Sequence, residues 1–550
     1  MNRFLTAARR LMPGPRDYLG IRRSWRRDVL AGLTVGIVAL PLALGFGISS
    51  GAGAEAGLIT AIVAGVVAAV FGGSNVQVSG PTGAMVVVLA PIVASHGLGA
   101  VALVSMMAGV IVLVAGVLRL GRAVSFIPWP VIEGFTLGIA VIIFLQQVPA
   151  LTDPGTTGVA HGNVVITAAS ALMSADAGYL LWSLAAVAIV GACMMLLPRL
   201  HPAIPGSLVG VVVVTVLALV VPDPLAVIGS LPHSLPAPAL PSFDASILGG
   251  LALPALTVAA LAAIESLLSA RVAAGLADTG RYDPDRELVG QGLASVAAGL
   301  FGGMPATGAI ARTAVNVRSG AATRLAAITH SVVLLLVVLA VAGPVGTIPL
   351  AALSGVLMVT ALRMVHVATV RSIMRSTRAD AFAFVLTAII TVSVDLIVAV
   401  VIGMVAAGVF ALRGLARATG VHREPVAGEP HPGDERIAII RLDGPLFFAA
   451  ADRVLDAVTT LDGVSVVILR MSQLELVDAT GAHILSEIVH RLEKRGVTVL
   501  IKGVREGHTE LFRTVGVLDA LRHQRHLFDH LPDAIAHARS HVAREGATTD

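Results

Sequence analysis

Between Val29 and about Leu415 the chain is a succession of long apolar runs, and from Val29 through Leu118 it contains neither Lys nor Arg. A helix needs about 20 apolar residues to cross a hydrocarbon core, and only segments that satisfy their backbone hydrogen bonds internally can do so. The runs are therefore expected to be spanning helices joined by short loops. With 56% apolar and 13% charged residues and a mean hydropathy of +0.88, the 550-residue chain falls outside the range of soluble proteins. A pI near 9.8 does not point to nucleic acid, because the basic residues are mostly Arg at the ends of apolar runs and no basic helix is interleaved with aromatics.

Residues 1–27 hold Arg3, Arg9, Arg10, Arg16, Arg22, Arg23, Arg26 and Arg27 without a cleavable signal pattern, and read as a cytoplasmic lead-in with Tyr18 and Trp25 at the interface. Arg119, Arg122, Arg199, Arg271, Arg281, Arg286 and the arginines from Arg363 to Arg378 then fall on that same side. The opposite loops, Leu151 to Gly178 and Pro222 to Ile247, carry no Lys or Arg. By the positive-inside rule both termini are expected in the cytoplasm, with the protein in the inner (plasma) membrane.

An internal repeat narrows the class. Phe71-Gly72-Gly73 leads to Thr82-Gly83-Ala84, and Phe301-Gly302-Gly303 leads to Thr307-Gly308-Ala309. The apolar segments that follow, Met85 to Ser95 and Ile310 to Val317, are too short or too interrupted for ordinary spans. Corresponding broken segments in two halves mark the binding site of a secondary transporter, because half-helices are tolerated at membrane depth only where they line a cavity.

After Arg413 the character changes. Residues 416–435 are polar, contain Pro and Gly, and read as a linker. Residues 436–543 alternate β-type runs (Ile437 to Leu442, Val464 to Leu469, Val497 to Ile501) with helical patterns (Ala482 to Arg495, Gly507 to Val515), predicting a small α/β domain followed by a tail, 544–550. The single cysteine, Cys193, sits in an apolar run and leaves no disulfide framework or zinc site to expect within one chain, and His161 and His233 in the outer loops show no metal-ligand spacing.

Several segments carry a family resemblance. Asp28-Val-Leu-Ala-Gly with Ala39-Leu-Pro41, Ser79-Gly-Pro-Thr-Gly, Glu265-Ser-Leu-Leu-Ser269, Arg286-Glu287-Leu-Val-Gly-Gln-Gly292 and Pro305-Ala-Thr-Gly-Ala-Ile-Ala-Arg312-Thr are similar to the SulP sulfate-permease family, the bacterial relatives of solute carrier family 26. Val477-Asp478-Ala479-Thr480-Gly481 resembles the Asp-Ser-Ser-Gly loop of STAS domains. The likeness runs from about Arg26 to about Val542. It implies an all-α polytopic membrane domain over residues 28–415, with about fourteen segments in a 7+7 inverted repeat, core and gate subdomains, a C-terminal α/β STAS domain and usually a homodimer. The expected activity is secondary transport of a small inorganic or carboxylate anion such as sulfate, bicarbonate or a dicarboxylate.

The resemblance also assigns residues. Two half-helix N-termini facing one spot make an anion site without a formal cation. Those positions fall on Thr82, Gly83 and Ala84 and on Gly308, Ala309 and Ile310, with tight helix packing as the plainer role for such small residues. Arg312, about one turn into the second half-helix, either raises the potential felt by the anion or snorkels to the cytoplasmic face; a family arginine at this place favours the first. Leu42 stands where many relatives have Gln, so with Phe46 it offers an apolar wall. Glu265 interrupts an apolar run and is the candidate for ion coupling, with Ser269 one turn on; a structural pairing of Glu265 with Arg312 or Arg271 is the alternative. Ile310 replaces a hydroxyl that contributes to one sodium site in the family, which favours H⁺ over Na⁺ as the coupling ion. Glu133 and Asp395 read as a helix-start and a turn residue. In the tail, Asp478 and Thr480 mark a regulatory loop: Thr480 matches the position phosphorylated in antagonist proteins, with an unmodified N-cap hydroxyl as the alternative and a cytoplasmic partner of the domain implied.

No nucleophile–base constellation or phosphate-binding Gly-rich loop stands out, so no enzyme, no cofactor and no metal site are expected. Two further readings stay open: a membrane-held STAS scaffold that senses without transporting, and a nucleobase transporter of the same architecture. The second is disfavoured by Arg312 and by the STAS tail.

Overall fold

The structure, a computed structural model, describes residues 11–122, 127–153, 163–201, 204–221, 225–241, 245–276, 280, 282–394 and 396–546. Arg3, Arg9, Arg10, His161, Arg281 and Asp395 lie outside the described residues. The chain divides into two units, Met1–Met404 and Val405–Asp550.

The apolar runs become helices. Ile21–Ser49, Ala54–Phe71, Gly83–His96, Gly99–Val117, Trp129–Gln146, Ala177–Leu200 and Gly206–Val220 form a first set. Ala245–Leu276, Pro284–Leu300, Ile310–Arg318, Arg324–Gly346, Leu350–Met364, Arg378–Ser393 and Leu396–Ala418 form a second. Among the described residues nine helical stretches are long and apolar enough to cross a membrane. The first helix begins at Ile21, earlier than its apolar run, so the arginines Arg22 to Arg27 ride on its first turns.

The packing repeats as well as the order. Ile21–Ser49 lies along Arg324–Gly346 as Ala245–Leu276 lies along Gly99–Val117, and Ala54–Phe71 meets Pro284–Leu300. Two buried acids lock the sets together reciprocally. Asp28, from the first set, accepts from Ala322 N (2.7 Å), Thr323 N (3.0 Å) and Thr323 Oγ1 (2.7 Å) at the start of Arg324–Gly346. Glu287, from the second, accepts on Oε2 from Gly73 N (2.8 Å) and Ser74 N (3.0 Å) just after Ala54–Phe71. Backbone N–H groups that follow or precede a helix in an apolar medium need such partners. Both acids therefore pay for their burial by satisfying loop backbone of the opposite repeat.

The second unit is a five-stranded sheet in the order Gly420–Glu424, Ile437–Leu446, Val466–Val477, Thr498–Lys502, Leu527–Phe528; the first pair is antiparallel and the others parallel. Strand alternation fills two cores. Ala438, Ile440, Leu442, Val467 and Leu469 pack with helices Ala451–Thr459 and Ala479–Lys494, whereas Ile437, Ile439, Val466 and Ile468 pack under the last helix, Leu531–Gly546. The segment read as linker contains the edge strand Gly420–Glu424, and the preceding helix extends to Ala418. That strand is short and charged and is half-exposed along its length, so it shows no apolar alternation in sequence.

Candidate functional site

The two repeated triplets meet at a two-stranded antiparallel pair. Ser79 pairs with Gly308 and Gly80 with Thr307, and Ala309 N donates to the Val78 carbonyl at 2.9 Å. Each two-residue strand runs directly into a half-helix, Gly83–His96 on one side and Ile310–Arg318 on the other. Thr82 is the N-cap of the first, in extended conformation, and Ala309 is the N-cap of the second. The helices thus begin beside the same strand pair, with the unpaired N–H groups of both first turns brought to one region.

Glu265, in the middle of Ala245–Leu276, faces that pair. Its Oε2 accepts from Thr82 Oγ1 and from Thr307 Oγ1, each at 2.8 Å, so one carboxylate oxygen ties both approaches together. The neighbouring Ser266 Oγ accepts from Gly308 N at 3.0 Å. Ser269 Oγ lies 3.1 Å from Thr313 Oγ1, which in turn accepts from Val78 N at 3.0 Å. Glu265 therefore bonds to two threonines; among the described residues it makes no ion pair with Arg312 or Arg271.

Arg312 is buried, 2% exposed, and its Nη2 donates to the Pro81 carbonyl. Its Nη1 has no hydrogen-bond partner. It does not snorkel: the guanidinium lies under the turn that leads into the first half-helix. A Cβ on Gly80 would come within 2.8 Å of that Nη1.

Two glycines are required by close approach. A Cβ on Gly308 would stand 1.8 Å from Gln77 Nε2, and one on Gly83 would stand 2.1 Å from Ile143 Cδ1 and 3.4 Å from Phe46 Cε1. Phe46 and Leu42, one turn apart on Ile21–Ser49, are both buried, so the apolar wall has its phenyl edge beside Gly83. The structure commits two of the expected N–H donors elsewhere: Gly308 N to Ser266 and Ala309 N to Val78. On that side the unpaired helix N–H groups start at Ile310.

Sequence reasoning overlooked Thr307, Ser266, Gln77 and Thr313. Thr307 carries a signal in hindsight, since it is the repeat counterpart of Thr82 in the Thr-Gly-Ala triplet. Gln77 has none: it is a polar residue between two valines, yet it is 6% exposed with neither amide atom hydrogen-bonded.

In the second unit the cap of Ala479–Lys494 is Asp478, whose Oδ1 accepts from Gly481 N at 2.7 Å and whose Oδ2 accepts from Phe448 N at 3.2 Å. Thr480 does not cap; it is exposed in the first turn. Glu133 sits just past the first turn of Trp129–Gln146 and accepts from Trp129 Nε1 at 3.1 Å. Cys193 is half-buried on Ala177–Leu200, and His233 lies in the stretch between Gly206–Val220 and Ala245–Leu276.

Broken helices paired between two repeats of a multi-pass helical domain define a transporter architecture. Known proteins agree. The pattern of the Sulfate permease family matches residues 25–387 and that of the STAS domain matches residues 431–534. A putative sulfate transporter of Bacillus subtilis, YvdB, is 35% identical over 526 residues, covering 92% of this chain and 97% of that protein. The bicarbonate transporter BicA of Picosynechococcus is 30% identical, covering 78% of this chain and 80% of its own length. Among solved structures, the transmembrane domain of a cyanobacterial BicA superimposes with a TM-score of 0.60 at 32% identity, covering 70% of this chain and 98% of that one. The murine anion transporter Slc26a9 in its inward-facing state has the same fold, with a TM-score of 0.79 at 18% identity over 94% of this chain and 91% of that one. The chain belongs to the sulfate permease family, a family of transporters rather than enzymes, and carries a C-terminal STAS domain.

Proposed function

We propose that the protein is a secondary active transporter that carries a small anion of the sulfate, bicarbonate or dicarboxylate class by alternating access, with H⁺ as the coupling ion. The observation that carries this reading is the antiparallel pairing of Ser79–Gly80 with Thr307–Gly308, which starts two half-helices at one place. The anion is held by the first-turn N–H groups of Gly83–His96 and Ile310–Arg318, with the buried Arg312 supplying positive potential from behind Pro81. Leu42 and Phe46 close the other side with an apolar wall that offers the anion no side-chain donor. Glu265 is the coupling group: a proton on its carboxylate changes the partnership with Thr82 and Thr307, and so the geometry of both half-helix starts. Both termini lie in the cytoplasm of an inner-membrane homodimer, and the exposed Thr480 is a site through which a cytoplasmic partner or a kinase acts on the STAS domain.

One observation favours Na⁺ as the coupling ion instead. Thr82 Oγ1 and Thr307 Oγ1 lie 3.1 Å apart beside the same carboxylate, so three side-chain oxygens converge where Ile310 contributes none. Uptake of labelled sulfate into proteoliposomes, in competition with bicarbonate, chloride and dicarboxylates and under an imposed pH or Na⁺ gradient, tests both readings. Uptake that neither gradient drives and no anion competes for would leave a membrane-held sensor.

A further inference from the structure

We propose that His526, His537 and His541 in the C-terminal domain form a Zn²⁺ site that clips the last helix to the edge of the sheet. His526 immediately precedes the edge strand Leu527–Phe528, and His537 and His541 stand one turn apart on Leu531–Gly546. A ligand nitrogen from each lies within 4.8 Å of those of the other two. His537 Nε2 and His541 Nε2 are 3.3 Å apart. Two nitrogens bound at about 2.0–2.1 Å in a tetrahedron around zinc are separated by about 3.3 Å, so this pair is already at ligand spacing. The third nitrogen needs to move inward by no more than about 1.5 Å.

The second observation is the state of His526. It is 2% exposed, yet its Nδ1 has no hydrogen-bond partner. Arg544 and Arg522 add positive potential at the cluster, and Glu545 opposes it at His541. Three imidazoles suit zinc, with water in the fourth position. This residue set makes no use of cysteine, which is why counting Cys193 could not reveal it.

The test uses the full-length chain, purified through an affinity tag without histidine and stripped by a chelator at pH 7.5. Zn²⁺ is titrated against a chromophoric chelator, and Co²⁺ is added separately for its tetrahedral visible band. The expected result is one Zn²⁺ per chain, a tetrahedral Co²⁺ spectrum, and affinity lowered about 100-fold or more in His537→Ala/His541→Ala. These two positions are half-exposed; the conservative His541→Gln, with its melting curve, covers the case in which the double variant does not fold. Wild-type affinity no higher than that of His541→Gln, or an octahedral Co²⁺ spectrum, would overturn the proposal and leave a hydrogen-bonded imidazole pair.

Discussion

Thr82 Oγ1 and Thr307 Oγ1 lie 3.1 Å apart although 225 positions separate them, and both hydroxyls donate to the same oxygen of Glu265. The two repeats thus share a single acceptor at the point where their half-helices begin. Whatever happens to the charge of that carboxylate is felt by both at once.

The first prediction concerns this acceptor. Glu265→Gln keeps the shape of the acid and removes its charge, so proton-driven accumulation should be lost while anion binding or exchange persists. Thr307→Val deletes one donor to a charged group, worth about 1.5–3 kcal/mol, and should lower coupled uptake about tenfold or more. Proteoliposome uptake under an inward proton gradient measures both. Wild-type accumulation by Glu265→Gln would remove the acid from the coupling step.

A second prediction rests on the contact between Gly308 and Gln77. Gly308→Val should abolish anion binding while expression persists, because its Cβ would overlap Gln77 Nε2. If that amide is the obstacle, Gln77→Ala should restore part of the binding lost in Gly308→Ala, giving a non-additive cycle. Arg312→Ala should weaken binding without abolishing it. Equilibrium binding of labelled sulfate to detergent-solubilised protein reads all four.

The Asp28 clasp gives a stability prediction. Asp28→Ala leaves Ala322 N and Thr323 N without their acceptor in a buried place. A loss of about 2–4 kcal/mol is expected, seen as a lower melting temperature in detergent with the same substrate specificity. An unchanged melting temperature would mean that water replaces the carboxylate.

A pH effect on stability is expected in the C-terminal domain. His526, at about 4 in the folded state against 6.5 ordinarily, is neutral when folded and takes up a proton on unfolding at mildly acid pH. Its stabilising contribution is complete above about pH 6.5 and fades as pH falls toward about 4. The hydrogen-exchange protection factors of Leu527–Phe528 and Leu531–Gly546 in zinc-free protein should therefore fall between pH 6.5 and 4.5, and His526→Asn should flatten that slope.

Membrane character, the repeat, the family and the α/β tail are readable from the chain because each is written in local sequence: unbroken apolar runs, the recurring Phe-Gly-Gly and Thr-Gly-Ala, and short alternating strands. The partnerships are not. Ser266 and Thr307 look like ordinary small polar residues until a strand pairing brings them together. Asp478 rather than Thr480 caps its helix because the helix begins at Ala479, before Thr480. Gly420–Glu424 becomes a strand through Ile437–Leu446, a partner that lies after it in the chain. The three histidines meet only when the last helix folds back across the sheet.

The strand pair has a consequence for biosynthesis. Residues Ser79 and Gly80 are synthesised long before Thr307 and Gly308, and until then their backbone groups and the start of Gly83–His96 have no partner from the second repeat. Unpaired backbone is costly in hydrocarbon. The nascent first half must therefore either delay the insertion of this segment or have it sheltered by the translocon or a membrane chaperone. Completion of the proposed anion site is then a late assembly event, gated by translation of Ile310–Arg318 rather than by folding of Gly83–His96.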